Sequence, residues 1–268
     1  MRKLNLLFVI AFFAVFSFQA CHYQAHHDHD HDHFHAHPIL YATLYQQYAA
    51  EYRALCYQAF NLASMQLEKE VAVGYDYPLA VVVDIDETVL DNSPYQATAI
   101  LEDFGYPKRW AEWVELAIAE PVPGALEFLL EAEEKGVEVF YITNRKEEFR
   151  EATLKNLLEQ GFPYADDDHL LMRTVENDKE PRRRMILEMY HIAVLIGDNL
   201  GDFHSTFDTD QADLRMEYTD EKKLEFGSRW IMLPNAIYGT WVNALPGYEH
   251  GITPDELAFE LQKGLKGF

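Results

Sequence analysis

A run of apolar residues that ends abruptly in acids is the clearest pattern in the chain. Residues 80–83 are an alanine followed by three valines, and Asp84 and Asp86 are among the next three residues. A strand that is covered on both faces of a parallel sheet shows no polar alternation, so this run predicts a buried parallel strand. If the extended geometry persists through Asp86, the side chains of Asp84 and Asp86 point the same way.

Similar apolar stretches recur along the chain, with helical patterns between them. Strands are predicted at 137–142, at 193–196 and at 230–233, with a short candidate at 169–172. This alternation predicts an α/β fold with a doubly wound, Rossmann-like parallel sheet. Right-handed crossovers bring the carboxyl ends of such strands to one edge of the sheet, where ligands bind in open α/β folds. The polar residues expected at that edge are Asp84, Asp86, Thr88, Thr143, Asn144, Arg145, Asp198 and Asp202.

The stretches on either side of the first strand are predicted to be helical. Residues 39–70 carry apolar residues at spacings of three and four, which predicts one helix with a core-facing stripe. That stripe consists of Leu40, Leu44, Tyr48, Tyr52, Leu55, Ala59 and Leu62.

An aromatic-rich insertion follows Pro94. Within it, Trp110 and Trp113 lie three residues apart on a predicted helix, so they share one face. They are either core residues of a small cap or a stacking surface for a planar group of a substrate. Tyr238, after the last predicted strand, is a further candidate for such stacking.

The N-terminal residues differ in composition from the rest of the chain. A basic start, a short apolar run and a small residue before Cys21 predict a secretory signal peptide over 1–21. The cysteine favours a bacterial lipoprotein signal with Cys21 as the lipidated N-terminus, and ordinary secretion with cleavage nearby is the alternative. Residues 22–38 are rich in histidine and aspartate and predict a flexible tether, which either acts as a spacer only or also binds a transition metal.

Composition and charge narrow the classes of partner. The formal net charge of −23 repels nucleic-acid backbones, so no nucleic-acid polymer is expected, whereas a local cation can still recruit a small phosphorylated substrate. Hydrophobic residues make up 49% of the chain, which is enough for a large core. If Cys21 is lipidated, Cys56 is the other cysteine and is predicted to pack as a small hydrophobe.

The acids at the strand ends suit phosphoryl transfer. A carboxylate is a nucleophile without prior deprotonation, but a phosphate dianion repels it. Mg²⁺ held by Asp84 and Asp198 would remove that repulsion. The hydroxyl of Thr143 and the ammonium of Lys179 would hold the remaining phosphoryl oxygens. Asp86 would protonate the leaving oxygen and then accept a proton from the water that opens an aspartyl-phosphate.

In these residues the chain resembles the haloacid dehalogenase superfamily. Its four motifs occur here in order: Asp-x-Asp-x-Thr at 84–88, a strand-terminal threonine at 143, an isolated lysine at 179, and Gly-Asp-Asn-x-x-Asp at 197–202. The spacing is similar to that of the class C acid phosphatases, the bacterial outer-membrane lipoprotein phosphatases. The resemblance covers roughly residues 40–245 and includes the stretch Leu-Asp-Asn-Ser at 90–93.

The resemblance implies a role for each motif residue. Asp84 would be the phosphorylated nucleophile, Asp86 the general acid/base, and Thr143 and Lys179 the phosphate-binding residues. The Mg²⁺ ligands would be Asp84, the backbone carbonyl of Asp86 and Asp198, with Asp202 supporting through water. Arginines near Lys179 are alternatives to it, namely Arg173 and Arg182 to Arg184. Some relatives are nucleotidases in which aromatic residues sandwich the base, and Trp110, Trp113 and Tyr238 are the candidates here.

The resemblance also implies the organisation and the function of the chain. A phosphatase domain would span 39–268, with a core over about 77–240 and a small helical cap from 39–76, about 94–122 and the C-terminal tail. The expected protein is an exported Mg²⁺-dependent acid phosphatase that hydrolyses phosphomonoesters, 5′-nucleotides included. It would be lipid-anchored to the bacterial cell envelope, at the outer membrane or in the periplasm, and could form a homodimer. The alternative is a metal- or haem-binding surface lipoprotein in which the histidine tract does the binding and the phosphatase fold is a scaffold.

Overall fold

A parallel sheet of five strands forms the centre of the computed structural model, which describes residues 37–248 and 251–268. The strands are β1 (Leu79–Val83), β2 (Leu90–Asp91), β3 (Glu120–Pro121), β4 (Glu138–Lys146), β5 (Leu170–Arg173), β6 (His191–Gly197) and β7 (Trp230–Met232). The sheet order is β5-β4-β1-β6-β7, so the predicted organising strand is central. The two short strands β2 and β3 form a separate antiparallel pair.

Helices connect the strands and cover the sheet. They are α1 (Leu40–Tyr48), α2 (Ala50–Val73), α3 (Ser93–Leu101), α4 (Trp110–Leu116), α5 (Ala125–Glu134), α6 (Arg150–Glu159), α7 (Glu180–Leu187), α8 (Ala212–Glu221), α9 (Thr240–Asn243) and α10 (Pro254–Gln262). Single 3₁₀ turns occur at Glu147–Phe149, Leu200–Asp202 and Ser205–Phe207.

Both faces of the sheet are covered, which explains the continuous apolar sequence of β1. Val81 and Val83 belong to the larger core, which includes residues of α2 and α5. Ala80 and Val82 point to the other face, where they join a second core with Ile186 of α7. Because successive side chains of a strand alternate between faces, one short strand contributes to two cores. This is the doubly wound parallel sheet that the sequence predicts.

The single helix predicted over 39–70 is instead two helices. Ala49, between α1 and α2, has an extended backbone with ψ of 124°, which interrupts the helix. The predicted core-facing stripe is wrong in part, since Leu44, Tyr48 and Leu55 are exposed. Because the helix is interrupted at Ala49, one helical period cannot describe both helices. The face that α2 buries consists of Tyr52, Cys56, Ala59, Phe60, Ala63 and Leu67. Cys56 is fully buried there, as predicted.

Several predictions from the N-terminal sequence lie outside the described residues. These are the signal peptide over 1–21 with Cys21 and nearly all of the tether over 22–38. Across 37–248 and 251–268, every helix is too short or too polar to span a bilayer.

Candidate active site at the carboxyl edge of the sheet

The carboxyl ends of β1 and β6 bring buried aspartates together. The two strands pair in register at Val83 and Ile196, and Asp84 and Asp198 each follow within two residues. The N–H of Asp84 donates to the carbonyl of Ile196 at 3.0 Å, so strand pairing continues into the site. The turn after β6 adds Asp202, and carboxylate oxygens of the three aspartates lie within 4.8 Å of one another. We call Asp84, Asp198 and Asp202 the carboxylate cluster.

Lys179, directly before α7, joins two members of the carboxylate cluster. Its Nζ donates to Asp84 and, at 2.6 Å, to Oδ1 of Asp202. Burial lowers the pKa of Lys179, but the carboxylates of Asp202 and Asp84 outweigh burial and the net shift of its pKa is upward. The lysine is therefore an ammonium ion. Three carboxylates around one ammonium leave an excess of negative charge in a buried place.

Burial, together with that excess of charge, raises the pKa values of Asp84 and Asp198. Burial is the largest cause for Asp84, whose pKa lies well above its usual range even though Lys179 opposes the shift. Burial and then Asp202 raise the pKa of Asp198 to about 7. Buried like charges are tolerated when a cation lies among them, and hard divalent cations prefer oxygen ligands. The carboxylate cluster therefore fits a divalent metal ion.

Neighbouring segments orient the carboxylate cluster. Oγ1 of Thr88 donates to Oδ1 of Asp198 at 3.1 Å, and Nδ2 of Asn235 donates to Oδ2 of Asp198 at 2.7 Å. The position of Asp202 depends on Gly197, because a β-carbon there would overlap the Asp202 carboxylate. The glycine of the Gly-Asp-Asn-x-x-Asp motif is thus a requirement of close approach.

Thr143 lies in β4, the strand next to β1, with its side chain fully buried. The backbone N–H of Arg145 donates to Oγ1 of Thr143 at 3.0 Å. Because this oxygen already accepts, the hydroxyl proton is left to donate to an anion. Arg182 of α7 donates to the carbonyl of Thr143 at 2.6 Å and to Oδ1 of Asn144 at 2.7 Å. These bonds tie the helix that follows Lys179 to the end of β4.

Asp86 has different partners from Asp84. A bend at Ile85 follows the end of β1, so the extended geometry predicted through Asp86 does not persist. The Asp86 carboxylate accepts from Nη2 of Arg145 at 2.7 Å and from Nδ2 of Asn92 at 2.9 Å. The two aspartates of the Asp-x-Asp motif therefore have separate hydrogen-bond partners: Asp84 bonds Lys179, whereas Asp86 bonds Arg145 and Asn92.

The predicted stacking residues lie on two sides of the site. Nε1 of Trp113 donates to Oδ1 of Asn92 at 2.8 Å, and the guanidinium of Arg145 lies 5.6 Å from the ring centre of Trp110. Both tryptophans are on α4, on a helix as predicted, and each contacts a residue that is bonded to Asp86. Tyr238 lies after β7, with its N–H bonded to Oδ1 of Asn235 at 3.3 Å, and so is on the Asp198 side. Their stacking role stays a prediction.

Four polar residues of the site receive no role from sequence reasoning: Glu87, Asn92, Arg145 and Asn235. Glu87 is fully buried with a φ of 60°, and its carboxylate accepts from the N–H of Asn92 at 2.9 Å. Burial, followed by the charge of Asp86, raises the pKa of Glu87 well above its usual range. The sequence signal for these residues is a density of polar side chains at strand ends, which does not say which of them pair.

A doubly wound sheet that carries a carboxylate cluster, a lysine and a threonine at its carboxyl edge defines a phosphoryl-transfer protein of the haloacid dehalogenase type. The chain belongs to subfamily IIIB of the HAD superfamily, the acid phosphatases, whose family model matches residues 21–241. Two structures of the class C acid phosphatase from Bacillus anthracis are 38% identical to it and cover 85% of this chain and 97% of theirs. Their TM-scores are 0.82 and, with tungstate bound, 0.80.

Two named relatives match shorter parts of the chain. "Acid phosphatase 1" of Solanum lycopersicum is 30% identical over 146 residues, which cover 50% of this chain and 55% of that protein. "Putative nucleotidase" of Bacillus cereus is 30% identical over 112 residues, 41% of this chain and 53% of that protein. The chain thus spans about half the length of these relatives. The predicted resemblance to class C acid phosphatases and the fold of the haloacid dehalogenase type are confirmed. The prediction of a phosphoric monoester hydrolase is also confirmed, at the level of the family.

Proposed function

We propose that this protein is a Mg²⁺-dependent acid phosphatase that hydrolyses phosphomonoesters through an aspartyl-phosphate on Asp84. The observation that carries the proposal is the buried carboxylate cluster with Lys179 and Thr143 at one edge of a parallel sheet. Membership of the acid phosphatase subfamily supports it. The tungstate-bound relative does so too, since tungstate is a tetrahedral oxyanion like phosphate.

The carboxylate cluster is proposed to hold the Mg²⁺ ion. Asp84 and Asp198 would be direct ligands together with the backbone carbonyl of Asp86, and Asp202 would act through water. Such hard oxygen donors suit Mg²⁺ better than a softer transition metal. When bound, the ion supplies positive charge that offsets the excess negative charge of the cluster and polarises the phosphoryl oxygens.

The side chains carry the two chemical steps. An oxygen of Asp84 attacks phosphorus while the bond to the ester oxygen breaks, and Asp86 gives its proton to that leaving oxygen. The hydroxyl of Thr143 and the ammonium of Lys179 hold phosphoryl oxygens as negative charge moves onto them. Water then attacks the phosphorus of the aspartyl-phosphate and gives its proton to Asp86. Inorganic phosphate leaves, and Asp84 is free again.

Nucleotides are proposed among the substrates. The relative named as a nucleotidase supports this class. Trp110 and Trp113 contact Arg145 and Asn92, the two residues bonded to Asp86, and offer aromatic surface on that side of the site. Tyr238 offers more on the Asp198 side.

Export and anchoring are proposed from the sequence of residues 1–21 alone, with Cys21 as the lipidated residue and the bacterial cell envelope as the location. A homodimer and transition-metal binding by the histidine tract stay predictions. The carboxylate cluster favours the enzyme over the alternative of a metal- or haem-binding lipoprotein, because a mere scaffold has no need of buried, unbalanced charge.

The test is phosphate release from p-nitrophenyl phosphate and a panel of mononucleotides, across pH 4–8, with Mg²⁺ or EDTA. Wild type is compared with Asp84→Asn and with a variant that lacks residues 22–37. Mg²⁺-dependent turnover that disappears in Asp84→Asn and survives the deletion is the expected result. Equal release by wild type and Asp84→Asn, or none by wild type, would overturn the proposal.

A further inference from the structure

The proposed general acid/base, Asp86, belongs to a hydrogen-bond network that extends into the aromatic insertion. We propose that Arg145, Asn92 and Trp113 are positioning residues that orient Asp86 so that its Oδ2 carries the transferred proton. We call Asp86 and these three residues the Asp86 network. The inference rests on the proposed function, since it concerns the proton that Asp86 gives to the leaving group.

The two oxygens of Asp86 are bonded unequally. Oδ1 accepts from Nη2 of Arg145 at 2.7 Å, from Nδ2 of Asn92 at 2.9 Å and from Nε of Arg145 at 3.0 Å. Among the described residues, Oδ2 receives one longer bond, from Nε of Arg145 at 3.3 Å. Three donors saturate the lone pairs of Oδ1, so a proton on Asp86 resides on Oδ2. The network thereby selects which oxygen of Asp86 carries the proton.

Arg145 is itself held rigidly. Its side chain is 1% exposed, whereas that of Asp86 is 18% exposed. Nη1 of Arg145 lies 3.3 Å from Oγ1 of Thr153 on α6, and the ring of Trp110 lies next to the guanidinium. Its backbone N–H bonds Thr143, so one residue fixes both the proposed phosphate-binding hydroxyl and the proposed acid. A planar guanidinium pre-organised in this way loses little entropy when it holds a carboxylate.

Trp113 is one of three residues that fix which way the amide of Asn92 faces. Nη2 of Arg145 also donates to Oδ1 of Asn92 at 3.4 Å, and Oε2 of Glu87 accepts from Nδ2 of Asn92 at 3.3 Å. An indole N–H can only donate, so Nε1 of Trp113, 2.8 Å away, requires the oxygen of the Asn92 amide on its side. The amide nitrogen must then face Asp86, to which it donates. With the amide reversed, two donors would face each other at Trp113 and two acceptors would face each other at Asp86. A residue of the insertion therefore helps to fix which atom of Asn92 bonds the proposed acid.

Asp86 gives up a proton in the first chemical step and receives one in the second. In the first, the Oδ2–H bond of Asp86 breaks and its proton goes to the ester oxygen as that oxygen leaves phosphorus. In the second, the attacking water gives a proton back to Oδ2 as its oxygen binds phosphorus and the bond between phosphorus and the Asp84 oxygen breaks. A misoriented Asp86 hinders the first step in proportion to how much the leaving group needs a proton.

The test compares two substrates: the leaving group of one needs a proton, and the leaving group of the other does not. Glycerol phosphate releases an alkoxide that must be protonated, and 2,4-dinitrophenyl phosphate releases an anion that is stable without a proton. The parameter is kcat/KM, which reports steps up to departure of the leaving group and excludes the later hydrolysis. Trp113→Phe is expected to lower kcat/KM about tenfold for glycerol phosphate and less than about twofold for the dinitrophenyl ester.

Two further variants complete the series. Arg145→Lys keeps the charge but loses the two-pronged bond to Asp86, so it should show the same selective loss. Trp230→Phe is the matched control, because it makes the same substitution at a tryptophan outside the Asp86 network. Trp230 lies on β7 and packs against Phe203 and Phe226. Its ratio of the two kcat/KM values should equal that of wild type. Thermal unfolding and near-UV circular dichroism show that each variant is folded.

The possible outcomes are distinct. A selective loss with glycerol phosphate in both Trp113→Phe and Arg145→Lys supports the inference. Equal losses of kcat/KM with both substrates, or no loss with either, would overturn it and leave the phosphatase proposal standing. No phosphate release by wild type from either substrate would overturn the proposed function, and this inference with it.

Discussion

The two ends of the central sheet both gather ionisable side chains, but they balance charge in different ways. At the carboxyl edge, three buried carboxylates lie together, and Lys179 pairs with two of them, Asp84 and Asp202. At the amino edge, Glu138 begins β4 and accepts from the hydroxyl of Tyr190 at 2.7 Å. His169 lies between Glu138, at 3.0 Å, and Asp166, at 2.7 Å. The side chains of His169, Glu138 and Asp166 are more exposed to water than those of the carboxylate cluster.

The difference shows what distinguishes a functional site from a structural one. At the amino edge, a hydroxyl and an imidazole satisfy the carboxylates within the chain, and solvent screens the remainder. At the carboxyl edge, burial and like charge raise the pKa of Asp84 and Asp198, so the chain alone does not satisfy its own charges. An unbalanced buried group costs stability and is retained where a cation and a substrate complete it. Buried charge that the chain does not neutralise therefore distinguishes the site better than the number of charged side chains does.

Among the changes that test the difference between the two edges, Asp84→Asn is expected to have the largest effect. Loss of the proposed nucleophile is expected to lower turnover by on the order of 10⁴-fold or more. The same change removes one of the crowded carboxylates, so the midpoint of thermal unfolding in EDTA should rise. Phosphate release and calorimetry on the same sample measure both effects. Lost activity with a lowered midpoint would show that the cluster stabilises the fold, contrary to the comparison.

Metal removal should produce the next largest effect. EDTA is expected to lower turnover at least about 100-fold, because the carboxylate cluster then keeps its excess charge. Mg²⁺ at about 100 times its Kd should stabilise the protein by about 2.7 kcal/mol, which a thermal scan detects. Asp198→Asn should lose this Mg²⁺-dependent shift. Equal midpoints in Mg²⁺ and EDTA for wild type would contradict metal binding at the carboxylate cluster.

Much of the carboxyl edge was predictable because its motifs are local in sequence. The burial of β1 and the approach of Asp84 to Asp198 follow from an apolar run and from the crossover rule. The Asp86 network was not predictable, because Arg145 lies 59 residues from Asp86 and shares its strand end with other polar residues. The break at Ala49 was hidden for a different reason, since alanine favours helix and only tertiary packing overrides that preference.

Gly197→Ala should give an intermediate effect at the carboxyl edge. The added methyl would overlap the Asp202 carboxylate, so we expect a loss of about 1–3 kcal/mol in the free energy of unfolding and of about tenfold in turnover. Gly105→Ala is the control, because a β-carbon there meets nothing within 4 Å. Urea denaturation and initial rates distinguish the two variants. Equal behaviour of both would show that the close approach at Gly197 is unimportant.

The smallest effect is expected at the amino edge. Burial lowers the pKa of His169, but Asp166 and Glu138 outweigh burial and raise its pKa. Protonated His169 therefore stabilises the fold below its ordinary pKa of about 6.5, and that contribution is lost as pH rises through the raised value. After screening by solvent it is worth about 0.5 kcal/mol.

His169→Gln tests this contribution. The difference in free energy of unfolding between pH 5.5 and pH 8.5 should shrink by about 0.5 kcal/mol relative to wild type, with turnover unchanged. If the variant shows the same difference in free energy of unfolding between the two pH values as wild type, protonated His169 does not stabilise the amino edge. A loss of turnover would remove the functional contrast between the two edges.

The bond between Trp113 and Asn92 has a consequence for how this scaffold can be altered. The aromatic insertion carries two of the three residues proposed to stack on a substrate, so it is the segment to exchange in order to change the proposed substrate preference. It also contributes to the orientation of the amide that holds Asp86. An insertion grafted from another protein without an N–H donor at this place would weaken that orientation. A change in the proposed stacking surface is therefore expected to change the surroundings of Asp86 as well.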